Sequence, residues 1–412
     1  MTFQEFNLNE KIEEALIEKS YINATPIQEK VIPLVLQEDD IIARAQTGSG
    51  KTAAFVLPIL NHYLLNEKEG KAKIRTLVLA PTRELTLQIA DTFKTLGSKL
   101  EKELKIVSVI GGKSIGDQLL DIQKGCDIVV ATPGRLLDII DKKQINLENL
   151  EFFVLDEADK MLDLGFAEEL ELILKQLPEI RQNLLFSATY PQKMKEIASL
   201  ITKNAIEVSI QNEEPTVELI KQRAIKVNVE NRNPLLQHLI KTNEWEQVLV
   251  FMANNRAADN IAAKFRKYGF KADSFHGDLI QEDREFTLKE FKEKKIKILF
   301  SSDIAARGLD IDNISCIINF DLPRSPADYI HRIGRSGRAG REGLAISFIT
   351  LENSEHFKLI EKRANIKLEK EEIEDFELIG TPLLKEKGKE PVKGKRKSKK
   401  DKLREQSLNK LS

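Results

Sequence analysis

Short apolar runs alternate with longer segments of helical periodicity throughout the first half of the chain. Strands of parallel sheets are buried on both faces, so they appear in a sequence as nearly continuous apolar runs. The pattern predicts six strands, at 40–44, 76–80, 106–110, 127–131, 152–155 and 183–187. Several of these runs end in a polar or Gly-containing turn that opens a helix, which favours a parallel sheet covered on both faces.

The alternation stops in the middle of the chain and then restarts. Residues 211–216 are polar and include Pro215, so we predict a linker there. Helical patterns beyond the last apolar run extend from 351 to 374. The later apolar runs predict strands at 248–251, 272–275, 296–300 and 316–320. We therefore predict an α/β protein with a first domain over 1–210, a linker over 211–216, a second domain over 217–375 and a tail over 376–412.

Composition adds an asymmetry of charge to this picture. The 412 residues carry 64 Lys and Arg against 65 Asp and Glu, a net charge of −1, and 41% are hydrophobic. Residues 385–404 alone carry a net charge of +8, which leaves −9 on residues 1–384. This basic tail has no apolar period, so we predict that it is disordered.

The same composition indicates where the protein works. The apolar runs fall far short of the roughly 18 residues that a membrane-spanning helix needs. Cys126 and Cys316 are widely separated in apolar surroundings, which predicts two buried, reduced thiols instead of a disulfide or a metal site. We expect a cytoplasmic protein.

A phosphate-binding loop is predicted at 45–52, between a predicted strand and the helical segment 53–60. The glycines allow backbone N–H groups to close around phosphate oxygens, the lysine adds a positive charge, and the threonine hydroxyl can bind Mg²⁺. The first position of this pattern is usually Gly, but the strand, the Gly-Lys-Thr and the helix disfavour a simple solvated turn. The predicted loop residues are Ala45, Gln46, Thr47, Gly48, Ser49, Gly50, Lys51 and Thr52.

Two carboxylates directly follow the predicted strand at 152–155. Asp156 is placed to bind Mg²⁺, and Glu157 could polarise the attacking water as a general base. An acidic helix N-terminus stabilised by the helix dipole is the alternative interpretation. The phosphate-binding loop upstream favours the metal and base roles.

Taken together, the motifs over residues 3–350 resemble those of DEAD-box ATP-dependent RNA helicases. Ser20, Ala24, Ser302 and Ser336 depart mildly from the usual family residues. In the first half, the motifs are 21–28, 45–52, 81–85, 111–112, 132–135, 156–159 and 187–189. In the second half, they are Phe251, 276–278, Gln281 with Arg284, 302–310 and 331–338. The compact core, the short N-terminus and the lysine-rich tail suggest a bacterial, RhlE-like member.

The resemblance implies two tandem RecA-like P-loop domains that bind ATP and Mg²⁺ between them. Gln28 would bind adenine through its amide, which is both donor and acceptor. Arg335 and Arg338 would be arginine fingers that act from the second domain on the γ-phosphate. Without the motif spacing, a hydrophobic anchor would be the preferred interpretation of Phe3. Further implied nucleotide contacts are Phe3, Tyr21, Gly308 and Asp310, and the implied coupling residues are Ser187, Thr189, Asp159 and His331.

The resemblance also implies that RNA, as a single strand or a short duplex, lies across both domains. Contacts to sugar and phosphate carry no base information, so we expect little sequence preference, and the 2′-hydroxyls would select RNA over DNA. Of the 19 arginines, the eight at 83, 135, 256, 284, 307, 332, 335 and 338 lie in motifs, which favours bidentate phosphate contacts. The implied RNA contacts are Arg83, Gly112, Thr132, Arg135, His276, Gln281, Arg284 and Ser302.

Two functions remain open at this point. The first is RNA-stimulated ATP hydrolysis with local, non-processive duplex unwinding or RNP remodelling. The second is an ATP-gated RNA clamp that holds single strands without productive unwinding. A small-molecule P-loop kinase would lack the second domain, and the motifs at 21–28 and 156–159 disfavour a DNA translocase.

The basic tail also has several interpretations. It would add non-specific attraction to RNA phosphates, and it could bind protein partners. A merely solubilising terminus and, less well supported, a nuclear-import signal are the alternatives.

Overall fold

The computed structural model describes residues 1–45, 48–68, 70–190, 192–202, 204–210, 220–303, 314–336 and 343–380. Its strands form two seven-stranded sheets in which all of the pairings are parallel. This confirms the predicted α/β class with two units. We call the units built on the two sheets the first and second domains.

The first sheet has the strand order β3-β4-β2-β5-β6-β1-β7. Its strands are β1 (Ile41–Arg44), β2 (Thr76–Leu79), β3 (Ile106–Val109), β4 (Ile128–Ala131), β5 (Phe152–Leu155), β6 (Gln182–Ser187) and β7 (Ile206–Ser209). The six predicted strands are confirmed to within one residue at each end. The edge strand β7 was not predicted, because only Val208 of its four residues is buried.

Helices cover both faces of this sheet. Alternate residues of one strand enter different hydrophobic clusters: Ile128 and Val130 pack into one, Val129 and Ala131 into the other. A 3₁₀ helix (Phe3–Phe6) precedes the helices, which are α1 (Glu10–Glu18), α2 (Pro26–Leu36), α3 (Lys51–Leu65), α4 (Arg83–Leu96), α5 (Ile115–Gln123), α6 (Pro133–Asp141), α7 (Ala158–Asp163), α8 (Ala167–Leu174) and α9 (Gln192–Ile201).

The second sheet has the strand order β10-β11-β9-β12-β13-β8-β14. Its strands are β8 (Ile220–Lys226), β9 (Val248–Met252), β10 (Ala272–Phe275), β11 (Ile298–Ser302), β12 (Cys316–Asn319), β13 (Gly343–Ile349) and β14 (Lys370–Glu371). The described helices around it are α10 (Arg232–Thr242), α11 (Asn255–Lys267), α12 (Gln281–Lys292), α13 (Pro326–Ile333) and α14 (Ser354–Arg363), besides a 3₁₀ turn (Val229–Asn231).

The second half departs from the predicted pattern in three places. The strand predicted at 296–300 is shifted by two residues, to Ile298–Ser302. Strands β8 and β13 pair along seven residues each but were not predicted. The helical pattern predicted from 351 to 374 is wrong beyond Arg363, because Lys370–Glu371 adds an edge strand beside β8. The linker at 211–216 and the tail from 381 lie outside the described residues, and the predicted domain boundaries stay predictions.

The cysteines are in the predicted environment. Cys126 and Cys316 are both free and buried, and burial raises the pKa of the Cys126 thiol to about 12. Among the residues that the structure describes, no helix is long and apolar enough to span a membrane.

Candidate active site

The candidate site lies at the carboxyl edge of the first sheet, where ligands bind in parallel α/β sheets. Strands β1, β6 and β5 are neighbours, so the segments that follow them converge. They border a cleft of about 520 Å³. Its lining includes Phe3, Tyr21, Gln28, Gly48, Gly50, Lys51, Thr52, Asp156 and Glu157, and Lys292 from the second domain. The predicted residues Gln46, Thr47, Gly308, Asp310 and Arg338 lie outside the described residues.

The phosphate-binding loop depends on glycine conformations. Gly48 and Gly50 have φ values of 87° and 91°, which side-chain-bearing residues rarely adopt. A Cβ on Gly50 would lie 2.6 Å from Nε2 of Gln28, so the loop also needs glycine for space. Buried Lys51 begins α3 and donates from Nζ to the carbonyl of Ala45 at 2.7 Å, which closes the loop.

Gln28 connects α2 to this loop. Its Oε1 accepts a hydrogen bond from the backbone N–H of Thr25 at 2.9 Å, and its Nε2 donates to the carbonyl of Gly50 at 3.0 Å. An amide has a second N–H and further lone pairs, so these bonds leave capacity for an adenine edge. Gln28 therefore belongs to the loop's framework as well as to the cleft lining.

The two predicted aromatic contacts have different surroundings. Phe3 is 4% exposed and belongs to the hydrophobic cluster of the first domain, with its ring centroid 6.0 Å from that of Phe6. Tyr21 is 50% exposed and also lines the cleft. Tyr21 thus presents more free ring surface to a base than Phe3 does.

The two carboxylates after β5 are buried, and their pKa values shift in opposite directions. Burial raises the pKa of Asp156 to about 6. Burial acts on Glu157 in the same sense, but the positive charges of Lys160 and Lys51 outweigh it and lower the pKa of Glu157. Lys160 Nζ lies 2.5 Å from Glu157 Oε1. Glu157 is therefore held as a carboxylate.

The predicted coupling residues of the first domain are in direct contact. Asp159 Oδ2 accepts from the backbone N–H of Thr189 at 2.9 Å and from its hydroxyl at 2.8 Å. Ser187 Oγ, at the end of β6, donates to the carbonyl of Thr189 at 2.6 Å. His331 lies on α13 in the second domain. The acidic segment after β5 is thus tied to the segment after β6.

The second domain reaches this site through Arg335. Burial raises the pKa of Glu157 and lowers that of Lys160, and among the smaller contributions the positive charge of Arg335 lowers the pKa values of both. Arg335 is itself 6% exposed. The site is therefore assembled from both domains.

A second contact joins the domains between α4 and α12. Arg284 and Glu84 form an ion pair of 2.7 Å in which both side chains are 8% exposed. Arg83 donates to Oε1 of Gln281 at 3.4 Å, and exposed Lys113 pairs with Glu285 at 2.8 Å. Several predicted RNA contacts thus hold the domains together in this structure.

Four of the RNA candidates line a second cleft, of about 390 Å³. Thr132 and Arg135 line it together with Arg83 and Arg284. Gly112 has a φ of 84°, and the guanidinium of Arg83 packs over it. In this structure the space beside Gly112 is therefore filled by the side chain of Arg83.

On the second domain, two more RNA candidates are buried. His276 bonds through Nε2 to Asp259 Oδ1 at 2.7 Å, and Ser302 ends β11. The motif arginine Arg332 binds Asp303 through Nε and Nη2 and Asn319 through Nη1. Its guanidinium therefore stabilises the second domain, which the phosphate interpretation of the motif arginines did not predict.

Sequence reasoning missed two residues that the structure places at the site. Glu84 is part of the motif at 81–85 but was not assigned a role, although a carboxylate one residue from a predicted RNA-binding arginine was a usable signal. Lys160 directly follows the motif at 156–159, three residues from Glu157, which is the spacing of contacting pairs on a helix.

The donor set of the main cleft fits a magnesium-bound nucleotide. The hydroxyl of Thr52 and the carboxylate of Asp156 are hard oxygen ligands, and Lys51 precedes Thr52 at the start of α3. Within the described ranges, no group of three His, Cys, Asp or Glu side chains could hold a metal alone. The oxygen ligands of Thr52 and Asp156 suit Mg²⁺, which usually binds one or two carboxylates, water and substrate phosphates.

Comparison with known proteins agrees with these features. The family model "DEAD/DEAH box helicase" matches residues 25–197, and "Helicase conserved C-terminal domain" matches residues 231–340. The chain is 39% identical over 370 residues to the DEAD-box ATP-dependent RNA helicase CshA of Bacillus subtilis, covering 90% of this chain and 74% of the relative. The RhlE-like assignment stays a prediction.

Solved structures agree with both the fold and the arrangement of the domains. S. cerevisiae Dbp5 bound to RNA and ADP BeF3 is 30% identical and matches with a TM-score of 0.81, covering 91% of this chain and 96% of Dbp5. Mss116p bound to ssRNA and AMP-PNP is 29% identical with a TM-score of 0.81, covering 90% and 79%.

A second Dbp5 structure, of a point variant bound to Nup159, a Gle1 variant, IP6 and ADP, matches less well. Its TM-score is 0.62 at 30% identity, covering 89% of this chain and 96% of Dbp5. Over nearly the same share of this chain, the TM-score is thus higher for the Dbp5 structure bound to RNA and ADP BeF3. The two RecA-like domains, the motifs and the relatives together show that the chain belongs to the DEAD-box ATP-dependent RNA helicases.

Proposed function

We propose that RNA-stimulated ATP hydrolysis by this enzyme is coupled to local, non-processive unwinding of short RNA duplexes or remodelling of RNPs. The observation that carries the proposal is the electrostatic action of Arg335, from the second domain, on the buried Glu157 of the first domain. An ATPase site shared between two domains is complete only when the domains close. RNA that lies across both domains would favour closure and so would stimulate hydrolysis.

Nucleotide binding would use the first domain. Gln28 would read the adenine edge, Tyr21 and Phe3 would contact the base, and loop 45–52 would surround the phosphates. From the second domain, Asp310 would bind the ribose and Gly308 would add a further contact to the nucleotide. Thr52 and Asp156 would hold Mg²⁺, which when bound supplies positive charge to the phosphate oxygens.

Hydrolysis would use residues from both domains beside the γ-phosphate. Glu157, kept ionised by the neighbouring cations, would orient the attacking water and accept its proton. Arg335 and Arg338 would stabilise the charge of the transition state, a contribution worth roughly 10³–10⁵ in rate for arginine fingers. The bonds among Asp159, Thr189 and Ser187, together with His331 from the second domain, would transmit closure between the ATP and RNA sites.

RNA would bind through sugar and phosphate contacts along the cleft of about 390 Å³ and its rim. Dbp5 and Mss116p are bound to RNA in the similar structures, which supports RNA as the partner here. Closure would bend one strand into a shape that a duplex cannot share, so the second strand would be released locally. The predicted contacts are Arg83, Gly112, Thr132, Arg135, His276, Gln281, Arg284 and Ser302.

The test combines ATPase and strand-release measurements on the full chain. We expect single-stranded RNA to raise kcat for ATP and a short labelled duplex to lose one strand only when ATP is present. The Lys51→Ala variant, which loses the loop's positive charge, is the control without productive nucleotide binding. Hydrolysis without strand release would contradict unwinding and favour the ATP-gated clamp, and hydrolysis indifferent to RNA would contradict both.

The basic tail and the location complete the proposal. We propose that residues 385–404 attract RNA phosphates non-specifically and are available to protein partners. A cytoplasmic location is supported by the two free, buried cysteines, which suit a reducing compartment.

A further inference from the structure

Lys160 is a buried cation in contact with the proposed general base. Its Nζ lies 2.5 Å from Oε1 of Glu157, and the two side chains are only 3% and 4% exposed. Lys160 is in the first turn of the six-residue helix α7, three positions after Glu157. The contact is thus fixed by local helix geometry and needs no movement of the second domain.

Structural preference alone would not put lysine at this position. A buried ammonium loses its hydration, and a cation near a helix N-terminus is opposed by the helix dipole. An apolar side chain would avoid both costs inside the cluster that already contains Ala158 and Met161. The benefit of Lys160 must therefore come from what it does to its neighbour.

The neighbour has an unusual conformation that this contact helps to fix. Glu157 has φ 51° and ψ 47°, in the left-handed region that residues with a Cβ rarely adopt. Its backbone N–H donates to Oδ1 of Asp156 at 2.9 Å, and its carboxylate is held by Lys160. Asp156 thus holds the backbone of Glu157, and Lys160 holds its carboxylate.

We propose that Lys160 is a positioning residue for ATP hydrolysis, which orients the Glu157 carboxylate toward the water that attacks the γ-phosphate. The inference rests on the proposed function of Glu157 as general base. Lys51 and Arg335 also act electrostatically on Glu157, but Lys51 belongs to the phosphate loop and Arg335 to the other domain. Lys160 alone among these three lies on the same helical turn as Glu157.

The experiment compares Lys160→Met and Lys160→Arg with a matched control, Arg75→Met. Arg75 is also a buried cation in an ion pair, with Nε donating to Oε2 of Glu151 at 2.9 Å, but it precedes β2 at the opposite edge of the sheet. Steady-state kcat and KM for ATP at saturating single-stranded RNA are measured, together with the thermal unfolding midpoint of each full-length variant.

We expect Lys160→Met to lower kcat roughly 10- to 100-fold, the size of effect that misplacing a catalytic group produces, with KM for ATP changed less than about threefold. Lys160→Arg keeps the cation and should recover at least part of kcat. Arg75→Met should lower the unfolding midpoint without lowering kcat beyond about twofold. If Lys160→Met does not fold, Lys160→Gln takes its place. A lower kcat for Lys160→Gln than for Lys160→Arg then supports the inference, and equal values overturn it.

A kcat for Lys160→Met no lower than that of Arg75→Met would overturn the inference, as would a rise in KM with kcat unchanged. Glu157→Gln, measured in parallel, separates this failure from failure of the proposed function. If Glu157→Gln is inactive and Lys160→Met is normal, only the positioning role is wrong. If Glu157→Gln hydrolyses ATP normally, the general-base assignment is wrong and the inference fails with it.

Discussion

Asp156 and Glu157 show how adjacent residues of one type acquire different chemistry. Burial, which outweighs the opposing charge of Lys51, raises the pKa of Asp156 to about 6, whereas Lys160 and Lys51 reverse the effect of burial on Glu157 and lower its pKa. Pairs of carboxyl groups with diverging pKa values are typical of sites in which the two have separate roles. The environment therefore supports Glu157 as the general base and Asp156 as a ligand of Mg²⁺.

At this scale we predict the effect of Glu157→Gln. The amide keeps the size of the side chain but cannot accept a proton, so RNA-stimulated kcat should fall by roughly 10²–10⁴, the usual contribution of general-base catalysis. ATP affinity should be retained, because the loop and Gln28 are unchanged, and the closed complex with RNA should accumulate. ATPase assays with nucleotide and RNA binding measurements check this, and normal turnover would refute the assignment.

Individual site residues were predictable where a motif names them, but their partners were not. Lys51, Asp156 and Glu157 line the expected cleft. The burial of Arg284 against Glu84 and of Arg332 against Asp303 depends on packing between elements far apart in the chain. A single sequence records that an arginine is present, and only the fold determines which carboxylate it meets.

Among the elements, β5 is held at its amino end by a cluster of charged side chains around Glu151. At the amino end, Glu151 accepts hydrogen bonds from Arg75 and His62 and pairs with Lys68. These contacts lower the pKa of Glu151 against the opposing effect of its burial. The strand is thereby fixed at the edge remote from the cleft.

We predict that Glu151→Gln lowers the free energy of unfolding at pH 7 by about 1–3 kcal/mol, as expected when a charged hydrogen-bonding group is lost. The pKa of Glu151 is lowered in the folded state, so its contribution is present above the ordinary value of 4.5 and is lost as the pH falls below it. Denaturant unfolding of both proteins at pH 7 and at about pH 3.5 should show the difference shrink.

Exposed Glu168 on α8 provides the control for that measurement. Glu168→Gln should change the free energy of unfolding by less than about 0.5 kcal/mol at either pH. An equal loss in both variants, or a Glu151→Gln effect that does not depend on pH, would show that the cluster around Glu151 does not stabilise β5.

The elements themselves were predictable in proportion to their burial. The central strand Phe152–Leu155 is apolar throughout, and both of its ends were predicted correctly. Strand β8 reads Ile-Lys-Gln-Arg-Ala-Ile-Lys, which is not the pattern of a buried strand. Its Gln222 accepts a hydrogen bond from Tyr329 and its Arg223 pairs with Glu371, so these polar side chains are satisfied by tertiary partners that the sequence does not reveal. By contrast, β13 is mostly apolar and could have been found from sequence.

At the scale of the whole molecule, one buried ion pair joins α4 of the first domain to α12 of the second. The Glu84–Arg284 pair is buried, whereas Lys113 and Glu285 are 38% and 43% exposed. Removing one partner of a buried pair leaves an uncompensated charge, but exposed pairs contribute little. The buried pair should therefore dominate the stability of the closed arrangement.

We predict that Arg284→Met lowers RNA-stimulated kcat at least about tenfold, because it leaves Glu84 buried without its partner. The exchanged double variant, Glu84→Arg with Arg284→Glu, should recover part of this loss, and Glu285→Gln should change kcat less than about threefold. ATPase rates and the compactness of the chain by small-angle X-ray scattering, with RNA and ATP, check both. Equal effects of Arg284→Met and Glu285→Gln would contradict this role of the buried pair.

The tail prediction also belongs to the whole molecule. A version ending at Thr381 should bind single-stranded RNA more weakly, with a slope of log affinity against log salt that is less steep by about 0.7 for each phosphate that the shortened chain no longer neutralises. Binding titrations at several salt concentrations measure this. Unchanged affinity and slope would leave the tail with a solubilising role.

The burial of Gln281 and Arg284 against the first domain changes how genetic data on this enzyme should be interpreted. A substitution at either position that abolishes RNA binding does not identify a nucleotide contact, since opening the molecule would separate the two halves of the RNA path and give the same phenotype. Suppressors offer a way to distinguish the two causes. Compensating changes at Glu84 would point to closure, whereas compensation by added positive charge elsewhere along the path would point to the nucleic acid.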